Sequence, residues 1–166
     1  MNARIQVEHP VTEMVTGVDL FEQQINIAQG RPLALLQDEI RIQGHAIECR
    51  INAEDPDRDF APSPGRITEA FFPTGEGLRV DTHMETGAVI PPFYDSMVAK
   101  VIAVGNSREE ARGRLVHALS QTRLTGIKTN IPLHLAVLES QEFVEGGVDT
   151  GFLGRHLAEQ PLSNPA

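Results

Sequence analysis

With one cysteine, Cys49, among its 166 residues, the chain can form neither an internal disulfide nor a cysteine-built zinc centre. That lone thiol suits a reducing compartment and burial as a small hydrophobe. No apolar run reaches the roughly 18 residues that a membrane helix needs, and the first residues lack a basic-then-apolar signal pattern. A soluble, cytoplasmic protein with no membrane partner is therefore expected. A basic stripe is also lacking: 14 Lys+Arg against 23 Asp+Glu leave a formal charge of -9. Nothing there would neutralise a nucleic-acid backbone. The sign of the net charge does not bear on small anionic substrates, which one or two local arginines can hold.

Several catalytic signatures are missing as well. The histidines at 9, 45, 83, 117, 134 and 156 never pair on one helical turn with a glutamate, so no histidine metal site is expected. Asp95 and Ser96 lie beside Tyr94, but no G-x-S-x-G elbow surrounds them. The glycines of Gly75-Glu76-Gly77 and Gly146-Gly147 follow no strand in the arrangement a phosphate loop requires and read as turns.

What is present is a change of periodicity along the chain. Residues 2–9 alternate, with Asn2, Arg4, Gln6 and Glu8 polar and Ala3, Ile5 and Val7 apolar, which predicts a half-buried strand ending at His9-Pro10. The chain thus opens directly in a strand pattern and looks like a sequence cut into. Thr16 to Asp19 offers a helix start, Phe21, Ile25 and Ala28 recur at helical spacing, and Gly30 and Pro32 stop the helix. A linker leads to a second alternation from His45 to Ala53, with Ile47, Cys49 and Ile51 on one face and Glu48, Arg50 and Asn52 on the other. The turn-rich stretch from Asp55 to Gly65 comes next, and then short strand candidates at Arg66–Phe71, Leu78–Asp81, Ala88–Ile90 and Met97–Val104. Ser107-Arg108-Glu109-Glu110 is a capping-box pattern ahead of Ala111, Leu115 and Leu119. Asn130 with Pro132 starts a helix through Leu138, and Thr150 to Ala158 a short last one. The expected class is α+β: a small antiparallel sheet or barrel with added helices.

Side chains two apart on a strand stand about 6.6 Å apart on one face. Asn2, Arg4, Gln6 and Glu8 would then form a polar row in which a guanidinium and an amide grip a small planar anion while a carboxylate takes a proton. The alternative is a solvated strand face. For Arg50 the alternative to a functional role is an interstrand pair with Glu48 or Asp95.

Five ordered blocks carry a resemblance. Met1-Asn2-Ala3-Arg4-Ile5-Gln6-Val7-Glu8-His9-Pro10-Val11-Thr12-Glu13 resembles M-N-x-R-[IL]-Q-V-E-H-x-V-T-E of biotin-dependent carboxylases. Gly44 to Glu54 resembles their G-H-A-[IV]-E-x-R-[IL]-x-A-E segment. Pro62-Ser63-Pro64-Gly65, Pro92-Phe93-Tyr94-Asp95-Ser96-Met97 and Thr125-Gly126-Ile127-Lys128-Thr129-Asn130 match three more in order. The resemblance is to the C-terminal part of the biotin carboxylase family, of the acetyl-CoA carboxylase type, with the same parts of propionyl-CoA, methylcrotonyl-CoA and pyruvate carboxylases as alternatives. It implies a strand and helix ending an ATP-grasp domain (1–31), a linker (32–42), the biotin carboxylase C-terminal domain (43–158) and a disordered tail (159–166).

By the same resemblance Asn2 completes a magnesium (or manganese) site, and Arg4, Gln6 and the Val7 amide hold bicarbonate. Glu8 is the base that deprotonates bicarbonate for attack on ATP, giving carboxyphosphate. Arg50 binds biotin and stabilises its enolate. The implied partners are an N-terminal biotin carboxylase half with most of the ATP and metal site, a biotin carboxyl carrier protein, a carboxyltransferase and a second copy in a homodimer. No Met-Lys-Met biotin acceptor is present, so the chain is not the carrier. Free-standing bacterial members pair through this region, with Arg79 near the expected surface, though Glu76 sits where some members have an aromatic. A non-catalytic assembly or dimerisation module is the rival reading. Without the γ-phosphate clamp, the chain alone is expected not to turn over ATP.

Overall fold

The computed structural model describes residues 2–159. Its centre is a long antiparallel pair, β1 (His45–Asn52) and β8 (Met97–Gly105), in register from His45↔Gly105 to Asn52↔Met97 with an irregularity at Ile51/Asn52. On the other side of β8 lies β6 (Leu78–Thr82), giving the order β1-β8-β6. The central strand is a nearly continuous apolar run because both of its faces are covered: Val98, Ala99, Val101, Ile102 and Ala103 are all buried. Residues directly opposite in an antiparallel pair share a face. Ile47, Cys49 and Ile51 thus stand with Ala103, Val101 and Ala99 and with Leu78 and Val80. Helix α3 (Arg108–Gln121) covers this face with Ala111, Leu115, Ala118 and Leu119, each fully buried leucine contributing roughly 1.5–3 kcal/mol. The helix starts as the capping-box pattern predicts, with a shifted return bond: Ser107 Oγ accepts from Glu110 N at 3.2 Å, but Glu110 Oε2 accepts from Asn106 N at 2.8 Å.

The second face of the sheet carries Glu48, Arg50, Arg79, Asp81 and Lys100 around the fully buried Ile102. Helix α1 (His9–Thr16) lies across it, and α2 (Leu20–Ala28) follows after a left-handed Gly17. Three two-stranded ladders complete the β structure. They pair β2 (Glu54–Asp55) with β3 (Ala61–Pro62), β4 (Gly65–Arg66) with β7 (Val89–Ile90), and β5 (Glu69–Phe71) with β9 (Arg123–Thr125). After β9 come α4 (Ile131–Glu139), α5 (Gln141–Glu145) and α6 (Phe152–Glu159). The α+β class is observed, and among the described residues no helix is long and apolar enough to cross a membrane.

The expected strand at 2–9 is not formed. Residues 3–4 bend, 7–8 turn and His9 opens α1, with His9 N donating to Gln6 O and Val11 N to Glu8 O. A strand needs a ladder partner, and no described strand lies beside this segment. Pro10 is buried in the first turn of the helix, where its missing N–H leaves no bond unmade and its fixed φ suits the start. The candidate strand Arg66–Phe71 divides into β4 and β5, which pair in different ladders. The expected tail from residue 160 lies outside the described residues.

Leu115 is fully buried, so Leu115→Ala should lower unfolding free energy by about 2–5 kcal/mol, as read by urea denaturation. At Gly126, φ is +89° and a Cβ would meet the Arg66 carbonyl oxygen. Gly126→Ala should therefore destabilise by more than about 1 kcal/mol, with the β5–β9 amides exchanging first.

Candidate active site

The polar face of the sheet holds the N-terminal segment by side chains from all three strands. From β6, Arg79 donates Nη1 to Glu13 Oε2 at 2.6 Å, and it forks onto Asp81 through Nε at 2.7 Å and Nη2 at 2.9 Å. Glu13, its side chain 9% exposed, also accepts from Leu20 N at 2.7 Å through Oε1, so one carboxylate joins α1, the start of α2 and the sheet edge. From β8, Lys100 lies 3.1 Å from Asp81 and donates to the Val7 carbonyl at 3.3 Å. From β1, Arg50 Nη2 donates to Glu8 Oε2 at 2.6 Å. Burial alone would raise the Asp81 carboxyl, but hydrogen bonds from Arg79 and Lys100 outweigh it and hold the group below its usual range. The Asp81 fork chiefly pushes the Arg79 guanidinium above its ordinary value.

Arg50 is fixed at both ends. Its backbone carbonyl accepts from Asn130 Nδ2 at 3.1 Å and bonds His134 Nε2 at 2.8 Å, while Asn130 Oδ1 accepts from Asn52 N at 2.8 Å. Burial lowers the His134 pKa, against the opposing hydrogen bond to Arg50 O. Beyond Glu8, the guanidinium faces Glu48, whose Oε1 is 3.9 Å from Nε. The Glu48 side chain is 5% exposed. Burial raises its carboxyl above the usual range despite Lys100 and Arg50 nearby. Cys49 points to the opposite face, where burial, reinforced by Glu48, pushes its thiol up to about 12. At neutral pH it offers no thiolate nucleophile.

A cleft of about 350 Å³ opens beside this network, with Arg4, Gln6, Glu8, His9, Gln23 and Gln24 among its walls. The turn thus brings Arg4, Gln6 and Glu8 to one cavity without the strand that predicted them. Arg50 is absent from that wall and joins it through Glu8. Asn2 is exposed and outside it, and Val7 is half-buried, its carbonyl engaged by Lys100. Of the two partners anticipated for Arg50, Glu48 lies 3.9 Å away and Asp95 instead accepts from Met97 N at 2.8 Å in a local turn, whereas the hydrogen-bonded partner is Glu8. Sequence reasoning missed Lys100, Asn130 and His134 as parts of this site. Lys100 was detectable as the one charge in an otherwise apolar strand; Asn130 closes the Thr125–Asn130 block, which did not reveal its bond to Arg50, and His134 carried no signal beyond lying in the expected helix. Among the described residues no group of three His, Cys, Asp or Glu could hold a metal. Asn2 by itself does not make a magnesium site, and among the described residues no such group accompanies it.

Comparison with known proteins matches residues 48–155 to the biotin carboxylase C-terminal domain and residues 1–36 to the carbamoyl-phosphate synthase L chain ATP-binding domain. The chain is 53% identical to a biotin carboxylase of Haemophilus influenzae over 157 residues, covering 95% of this chain and 35% of that one. It is 51% identical to a pyruvate carboxylase subunit of Methanothermobacter thermautotrophicus, covering 94% and 32%. Among solved structures, the biotin carboxylase domain dimer of Hydrogenobacter thermophilus 2-oxoglutarate carboxylase, in complex with MgADP, ADP and bicarbonate, superposes with a TM-score of 0.93 at 44% identity. That match covers 99% of this chain and 36% of the other. The chain therefore spans about a third of the length of the relatives it matches.

Removing the Glu13 carboxylate leaves Leu20 N and one Arg79 donor without their partner. Glu13→Ala should cost about 1–3 kcal/mol and speed amide exchange across 9–20 before the β1–β8 core opens. Because the folded pKa of His134 is depressed, the unfolded chain binds more protons below the ordinary value of about 6.5. Its contribution is present above that pH and is lost as pH falls through about 6.5 towards the folded value. The urea midpoint should drop between pH 7.5 and 5.5, and His134→Gln should shrink that drop.

Proposed function

The chain belongs to the biotin carboxylase family, and from that membership we propose that it supplies the bicarbonate and biotin side of an ATP-dependent carboxylation of carrier-borne biotin. The observation that carries this reading is the Glu8–Arg50 contact at 2.6 Å on the rim of the Arg4–Gln6–Glu8 cleft. A base and a cation stand together beside a cavity that a small anion can enter. Arg4 and the Gln6 amide offer planar donors to bicarbonate. Glu8 takes the proton from bicarbonate, and the resulting nucleophile attacks the γ-phosphorus of ATP, breaking its bond to the β–γ bridging oxygen and giving carboxyphosphate and ADP. Carbon dioxide released from carboxyphosphate reacts only if held near a deprotonated ureido nitrogen, out of bulk water. Arg50 supplies the positive charge for the biotin enolate as it develops.

In this reading residues 1–31 end an ATP-grasp domain, 32–42 link, and 43–158 form the C-terminal domain. Nucleotide and metal are bound by a part corresponding to the remainder of the relatives, to which Asn2 adds one ligand. The reaction of this part ends at carboxylated biotin, since the choice of acetyl-CoA or another acceptor belongs to a carboxyltransferase. The assembly-module reading is the less favoured one, because Arg79 is already committed to Glu13 and Asp81 within the chain.

Mixing the chain with the N-terminal two thirds of a biotin carboxylase relative should give bicarbonate-dependent ADP release and biotin carboxylation. Glu8→Gln should reduce both by about 10²-fold or more, the usual contribution of a positioned base, and Arg50→Ala should abolish the biotin-dependent part. The chain alone should release no ADP above blank. Turnover by the chain alone, or full activity of the Glu8→Gln mixture, would overturn the reading.

A further inference from the structure

Two carboxylates lie within ion-pairing distance of Arg50, and they differ in kind. Glu8 meets Nη2 at 2.6 Å and is 51% exposed, whereas Glu48 faces Nε at 3.9 Å and is 5% exposed. Glu48 precedes Arg50 by two residues on β1, so both side chains leave the same face of the strand. A guanidinium presents its donors as a fixed planar fork, and the two carboxylates occupy different parts of it. They are not rivals for one donor. Glu48 Oε2 is buried and has no hydrogen-bond partner, so the carboxylate has acceptor capacity that nothing else around it uses.

We propose that Glu48 is a positioning residue, the buried carboxylate that keeps the Arg50 guanidinium in place when Glu8 gives up its hold. This deepens the reading of Glu8 as base and Arg50 as the biotin-side cation. A base that has taken a proton is neutral and no longer pairs with Arg50, at the point when that cation is required. With only its backbone pinned by Asn130 and His134, a half-exposed arginine would swing into solvent. Glu48 retains it by the Nε edge and leaves the Nη2 edge, vacated by Glu8, turned towards the cleft. The charged or titratable groups around Glu48 are Lys100 on β8, Arg50 on β1, and Glu8 and His9 at the start of α1.

The test is nuclear magnetic resonance of the Arg50 Nε–Hε group in the full chain, which needs no turnover and separates this idea from the assignment of Glu8 as base. Glu8→Gln mimics the neutral base. In that variant the Nε–Hε order parameter should stay near the rigid range of about 0.85, and in Glu8→Gln/Glu48→Gln it should fall below about 0.6. Core amides of Val101 and Leu115 report that each variant is folded. As a second measurement, acidifying Glu8→Gln should loosen Arg50 with the same midpoint as the Glu48 carboxyl carbon titrates. Equal order in the single and double variants, or an Arg50 signal indifferent to the Glu48 titration, would overturn the proposal.

Discussion

The Glu13 carboxylate is the joint on which the arrangement depends. Its two oxygens take donors from different elements: the Leu20 amide at the start of α2 and the Arg79 guanidinium on the edge strand. A charge-assisted bond of this kind is about twice as strong as a neutral one, and at 9% exposure water cannot replace either donor. Fixing Glu13 fixes α1, and fixing α1 sets the turn ahead of it. That turn carries Glu8 to Arg50, 42 residues away in sequence. The catalytic geometry proposed for the cleft is thus held by a contact that itself takes no part in the chemistry.

Exposure divides the charged contacts by purpose. The Glu8–Arg50 pair is half-exposed on both sides, and such pairs contribute about 0–1 kcal/mol because water screens them and competes for both partners. Under the proposed function both groups must change partners, and an ion pair so weak is easily exchanged for a substrate. Arg79, Asp81, Lys100 and Glu13 lie deeper and share donors as a network, so losing one member strands the others. The same face of the sheet therefore combines a permanent clamp with an exchangeable contact, graded by depth.

The β1 alternation was legible because its two faces meet different surroundings: Ile47, Cys49 and Ile51 meet α3, while Glu48 and Arg50 meet α1. Residues 2–8 show the same alternation, and their exposure does alternate from Arg4 to Glu8, yet no strand forms. Periodicity reports which side chains are buried, not whether a ladder partner exists. His9-Pro10 was read as the end of a strand and proved to be the start of a helix, since proline is tolerated in both places. Arg4, Gln6 and Glu8 still line one cleft, because a turn, like a strand, can put every second side chain on one side. The bonds that Asn130 and His134 make to Arg50 were not legible, because they join residues about 80 apart in sequence, and Lys100 showed only as a lone charge whose neighbours are set by register across strands.

The side chains of the described residues offer one kind of chemistry more than another. The described residues provide planar cationic donors, amides and a carboxylate base, which are the tools of anion binding and proton transfer. They provide no cluster of metal-binding side chains, and phosphoryl transfer depends on neutralising charge that develops on the phosphate oxygens. A chain spanning about a third of its relatives' length carries, under the proposed function, the first kind, folded around its own sheet. Under the proposed function, the phosphate-handling part has only to deliver ATP to the rim where Glu8 and Arg50 stand.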